Sequence, residues 1–70
     1  MPNSSDANIA TADVLTLLLH NQHALAAAIE EVALLARSGS PEVHDNAISA
    51  LETLDANASA ITGGILKLRQ

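Results

Sequence analysis

The segment Arg37 to Glu42, with the sequence RSGSPE, constrains the fold most strongly, because it separates two long stretches of helical apolar spacing. Gly39 is suited to end a helix in the left-handed conformation, Ser40 to cap the next helix, and Pro41 to occupy that helix's first position. A connection this short makes consecutive helices run side by side and antiparallel. The sequence therefore predicts an all-α fold, an antiparallel hairpin of two long helices.

The chain is expected to form one helical-hairpin domain over residues 9–70, preceded by a disordered tail at residues 1–8, which are small and polar. Thr11 is the preferred N-cap of the first helix, which we predict over about residues 11–38. The turn follows at residues 39–40. The second helix is predicted over about residues 41–68, with Lys67 and Arg69 near its end, where cations complement the helix dipole.

Each predicted helix carries apolar residues at alternating steps of three and four, which is heptad spacing. In the first helix this seam comprises Leu15, Leu18, Gln22, Leu25, Ile29, Val32 and Ala36. In the second helix it comprises Ala47, Leu51, Leu54, Ala58, Ile61, Ile65 and Leu68. A further row beside the first seam makes the apolar face wider than a two-stranded coiled coil requires, and comprises Val14, Leu17, Ala24, Ala28 and Leu35.

A chain of 70 residues without cysteine buries only about 60% of the surface that its unfolded form exposes, so association is the natural way to enlarge its core. We therefore predict a homo-oligomer, in which two hairpins form a four-helix bundle with twofold symmetry. The expected interface between chains is formed by Leu15, Leu18, Gln22, Leu25, Ile29, Val32, Leu51, Leu54, Asn57, Ile61 and Ile65.

Two features of the seams have alternative interpretations. Gln22 and Asn57 are expected to lie opposite each other, either as a buried polar layer that fixes the register or at the edge of the seam in contact with water. Gly63 and Gly64 interrupt the second helix, where two glycines cost about 2 kcal/mol relative to alanines. They indicate either close approach of another helix or a kink near the C-terminus.

The composition argues against several classes of partner. The chain has no aromatic residue, and its three Lys and Arg stand against eight Asp and Glu, for a formal charge of −5. We therefore expect no nucleic-acid binding, which relies on cations and stacking side chains. We also expect no membrane association, because the apolar stretches are interrupted. The N-terminus does not resemble a secretory signal, and a cytoplasmic location is the default expectation.

Few residues are candidates for chemistry. His20 and His23 are three residues apart, a spacing that supports a metal site when other ligands converge, but they are predicted to lie on the solvated face. His44 is expected about a helix length away from them. Glu30 and Glu31 are adjacent and diverge by about 100° on a helix. No catalytic motif is present, and we predict neither an enzyme nor a cofactor.

The leading functional hypothesis is a small, non-enzymatic protein-protein interaction or scaffold module that self-associates through its aliphatic seams or accepts a partner helix. A first alternative is a metal-binding or metal-sensing hairpin that uses His20 and His23 across an oligomer axis. A second alternative is an acidic antitoxin or inhibitor that occupies a basic partner.

Overall fold

The computed structural model describes residues 4–70, which fold into two long helices and contain no strand. Helix α1 spans Ser4–Ala36 and helix α2 spans Pro41–Arg69. The predicted all-helical class is confirmed. The Cα atoms extend over 57 × 15 × 13 Å, so the molecule is an elongated rod with a nearly round cross-section.

Helix α1 begins earlier than the sequence predicts. Residues 4–8, expected in the tail, are helical, and Thr11 lies inside the helix, where its hydroxyl donates a hydrogen bond of 2.9 Å to the Ala7 carbonyl oxygen. The expected N-cap at Thr11 is therefore wrong. Extending an existing helix needs no new nucleus, and alanines at positions 7 and 10 favour the extension. The first three residues of the predicted tail lie outside the described residues.

The turn is tight and begins earlier than predicted: α1 ends at Ala36 rather than at about residue 38, and residues 37–40 connect it to α2. The Ser40 backbone NH donates to the Ala36 carbonyl oxygen at 2.9 Å, and Pro41 takes the first position of α2. Two further details of the prediction are wrong. Gly39 does not adopt a positive φ, because the hydrogen bond from Ser40 closes the turn with ordinary backbone angles. Ser40 precedes α2 but makes no capping hydrogen bond through its side chain.

Polar contacts at both ends show that the two helices run antiparallel. Near the turn, His44 Nδ1 lies 2.8 Å from the Ala33 carbonyl oxygen. At the opposite end, the Arg69 guanidinium donates to the Asp13 carboxylate at 2.9 Å. Residues at the same level therefore have numbers that sum to about 80, in agreement with the antiparallel register.

One row of each helix faces the other helix, and we call these the inner rows. The α1 inner row comprises Ala12, Leu15, Leu19, Gln22, Ala26, Ile29, Ala33 and Ala36. The α2 inner row comprises His44, Ala47, Leu51, Leu54, Ala58, Ile61, Ile65 and Leu68. Every member is buried or half-buried, and the buried residues among positions 4–70 are four alanines, Ala12, Ala33, Ala36 and Ala47. The most buried positions between the helices are thus occupied by small side chains, which let the helix backbones approach closely.

The two glycines do not interrupt α2, which continues from Pro41 to Arg69. A Cβ atom built on either Gly63 or Gly64 would meet nothing within 4 Å. Close approach to α1 therefore does not explain these glycines.

Candidate interaction surface

A second heptad row runs along α1 and faces away from α2. Its members recur at alternating steps of four and three, and all seven are exposed: Val14, Leu18, Asn21, Leu25, Ala28, Val32 and Leu35. We call it the α1 outer row. It lies about 100° around the helix from the α1 inner row. Leu18 is 47% exposed and Leu25 is 55% exposed, so large aliphatic side chains at the centre of this row leave about half of their surface uncovered.

A matching row on α2 is made of small and polar residues, and we call it the α2 outer row. It comprises Val43, Asn46, Ala50, Thr53, Asn57, Ala60 and Gly64, each exposed or half-buried. On both helices, each outer-row residue comes immediately before an inner-row residue in the sequence. Because the two helices are antiparallel, these preceding positions point to the same side of the hairpin. The two outer rows therefore lie side by side and form one surface, which we call the outer face.

The opposite side of the hairpin has a different character. A shallow groove of about 240 Å³ near the turn is lined by Glu30, Leu34, Arg37, His44 and Ile48, among others, and the ion pair between Asp13 and Arg69 lies on this side. Such a groove is smaller than the roughly 300–1,000 Å³ of typical ligand sites. We find no enclosed site for a small molecule in it.

The outer face carries no acidic residue. None of the eight Asp and Glu residues falls in either outer row, although the chain carries a formal charge of −5. Carboxylates are costly to bury without a partner. Covering the outer face would therefore bury aliphatic and amide groups and leave the charged groups in water.

Gln22 is the polar exception in the α1 inner row. Its Oε1 atom is buried, and no donor among residues 4–70 reaches it. Asn57, predicted to lie opposite, is exposed in the α2 outer row. A buried acceptor without a donor costs about 1–3 kcal/mol. Gln22 therefore lies half-buried in the α1 inner row with one unmet hydrogen bond.

The structure does not bring the histidines together into a site. His20 and His23 are exposed, while His44 lies near the turn, and residues 4–70 contain no group of three or more His, Asp or Glu that could hold a metal ion. The two exposed histidines lie toward the groove side, away from the outer face.

His44 instead ties the two helices together at the turn. Since a carbonyl oxygen accepts hydrogen bonds, Nδ1 of His44 donates to Ala33, whose carbonyl belongs to the last turn of α1 and lacks a partner within its own helix. This contact could not be read from sequence spacing alone, because it depends on how close the helices approach.

Removing this donor should destabilise the hairpin. We expect His44→Ala to lower the free energy of unfolding by about 1–2 kcal/mol, since a part-buried carbonyl loses its hydrogen bond. Urea unfolding followed by circular dichroism measures the difference. His20→Ala, on an exposed position of α1, is the matched control and should change stability by less than about 0.5 kcal/mol. Equal effects of the two substitutions would show that the His44 contact is not stabilising.

The predicted interface residues are divided between two surfaces. Among the predicted residues, Leu15, Gln22, Ile29, Leu51, Leu54, Ile61 and Ile65 are half-buried in the inner rows. Leu18, Leu25, Val32 and Asn57 are exposed in the outer rows. Sequence reasoning merged the two α1 rows into one seam, and missed Leu19, Ala26 and Ala33 as contacts to α2.

Comparison with protein-family models, curated proteins and solved structures found no match to this chain. Neither helix within residues 4–70 has an apolar stretch long enough to cross a membrane.

Proposed function

We propose that this chain is a non-enzymatic interaction module that self-associates through the outer face. The observation that carries the proposal is the α1 outer row, a heptad repeat of exposed aliphatic residues on a helix that already uses another heptad repeat to contact α2. A helix with two apolar seams needs two neighbours, whereas the hairpin supplies one. A second hairpin supplies the other.

The exposed area supports a second copy as the partner. A compact monomer of 7.2 kDa exposes about 4,100 Å² by the usual scaling of surface with mass. This chain exposes 5058 Å², an excess of about 900 Å². Stable interfaces bury about 800 Å² on each partner. The excess is therefore of the size that one dimer interface would remove from each copy.

The distribution of large apolar side chains points to the outer face as the contact. Eleven large hydrophobic residues are exposed among positions 4–70, and six of them lie in the outer rows: Val14, Leu18, Leu25, Val32, Leu35 and Val43. The groove side has four scattered ones, Ile9, Leu34, Ile48 and Leu66. A contiguous apolar patch is typical of a protein interface, whereas scattered exposed leucines are ordinary.

Sedimentation equilibrium over the micromolar range tests the proposal, with circular dichroism recorded at the same concentrations. We expect a mass of two chains and high helicity, with both falling together on dilution, because the hairpin alone has a small core. A helical monomer at all these concentrations would overturn self-association.

A further inference from the structure

We propose that the two copies dock with both hairpin turns at the same end, so that the α1 outer row of each copy lies over the α2 outer row of the other. This inference rests on the self-association proposed above and adds the arrangement of the copies. The twofold axis then runs parallel to the helices, and each α1 gains the α2 of the second copy as an antiparallel neighbour.

Side-chain size is the first argument for this arrangement. The α1 outer row has five Leu and Val residues among its seven members, whereas the α2 outer row consists of Ala, Gly, Asn and Thr except for Val43. Helices pack when the ridge of one fits the groove of the other. With the turns at opposite ends, α1 would lie on α1 and α2 on α2, which places large residues against large ones and small against small.

The levels of individual residues agree with this pairing. Residues at the same height along the hairpin have numbers that sum to about 80. Gly64 therefore lies at the height of Leu15 of its own chain. In the same-end arrangement it therefore faces Val14 and Leu18 of the second copy. The open space where a Cβ of Gly64 would meet nothing within 4 Å is then filled by those side chains.

Gln22 supplies an independent argument. By the same rule Asn57 is level with Gln22, so Asn57 of the second copy comes to lie above the buried Oε1 of Gln22. The Asn57 side-chain amide is exposed and can donate. Oε1 is covered in the single hairpin, so the pairing requires Gln22 to rotate toward the outer face. Its oxygen then accepts from Asn57, and the two amides form a polar layer that fixes the register.

A distance measurement distinguishes the two arrangements. The chain has no cysteine, so Ser38→Cys accepts one spin label at the turn, and pulsed electron resonance reports the distance between the two labels of a dimer. Packed helices lie about 8–10 Å apart, and we expect an interlabel distance below about 30 Å when two flexible label side chains are included. A distance near the molecular length of 57 Å would overturn the same-end arrangement.

A matched pair of glycine substitutions tests the predicted contact at Gly64 of the α2 outer row. We expect Gly64→Leu to weaken dimerisation at least about tenfold, because the added side chain occupies the space assigned to Val14 and Leu18 of the second copy. Gly63→Leu, which adds the same side chain about 100° away on the same helix, should leave the dissociation constant within about threefold. Equal effects of both substitutions would overturn the placement of Val14 and Leu18 of the second copy beside Gly64.

The outcomes separate this inference from the proposed function. A monomer in sedimentation equilibrium overturns both. A dimer with a long interlabel distance, or a dimer that tolerates Gly64→Leu as well as Gly63→Leu, overturns the arrangement alone and leaves self-association standing.

Discussion

The double substitution Leu18→Asp and Leu25→Asp should convert the dimer into monomers. Both leucines are about half exposed in the α1 outer row, so the hairpin itself loses only part of their packing. In the proposed dimer each would be buried, and full burial of a leucine contributes about 1.5–3 kcal/mol. We therefore expect the dissociation constant to rise at least about a hundredfold, measured by sedimentation equilibrium.

Leu34→Asp combined with Leu66→Asp is the matched control. These leucines are 58% and 60% exposed on the groove side, and the control adds the same two negative charges. We expect it to remain dimeric. If both double variants dissociate equally, net charge rather than the outer face would govern association, and the proposed surface would be wrong.

Enlarging a buried alanine should have the largest effect on the hairpin itself. Ala47 is 8% exposed in the α2 inner row, and Ala47→Leu forces a larger side chain between two closely packed backbones. Overpacking of this kind costs about 1–3 kcal/mol. Urea unfolding at a fixed protein concentration measures the loss, and we expect a lower midpoint than for the unaltered chain.

Ala56→Leu serves as the control for this substitution, because Ala56 is exposed on the same helix. Leucine has a helix propensity close to that of alanine, so we expect a change below about 0.5 kcal/mol. A stability loss that is as large at Ala56 as at Ala47 would contradict close packing between the helices.

The second helix and the turn were predictable because their sequence signals are unambiguous. Proline at position 41 fixes where α2 begins, and the seam from Ala47 to Leu68 is the α2 inner row of the structure. No other row of α2 has large aliphatic residues at heptad spacing. The prediction failed at Gly39, where composition suggests a left-handed residue but the hydrogen bond from Ser40 closes the turn without one.

The first helix was harder to interpret because two of its faces are apolar. Leu15 and Leu18 belong to different rows, yet their spacing of three fits a single seam equally well. A heptad pattern is recognised by its large apolar side chains, whereas the most buried residues at the contact with α2 are small, such as Ala12 and Ala33. Which row faces inward therefore depends on how closely the backbones approach, and a sequence pattern does not contain that distance.

In the proposed dimer, the α1 inner row stabilises the hairpin, whereas the α1 outer row contacts the second copy. The residues that hold the hairpin together are largely not those available to another molecule. If the proposed dimer forms, substitutions in the outer row should change which copies pair while the hairpin keeps its shape, so that redesigned hairpins could pair with each other and not with the parent sequence.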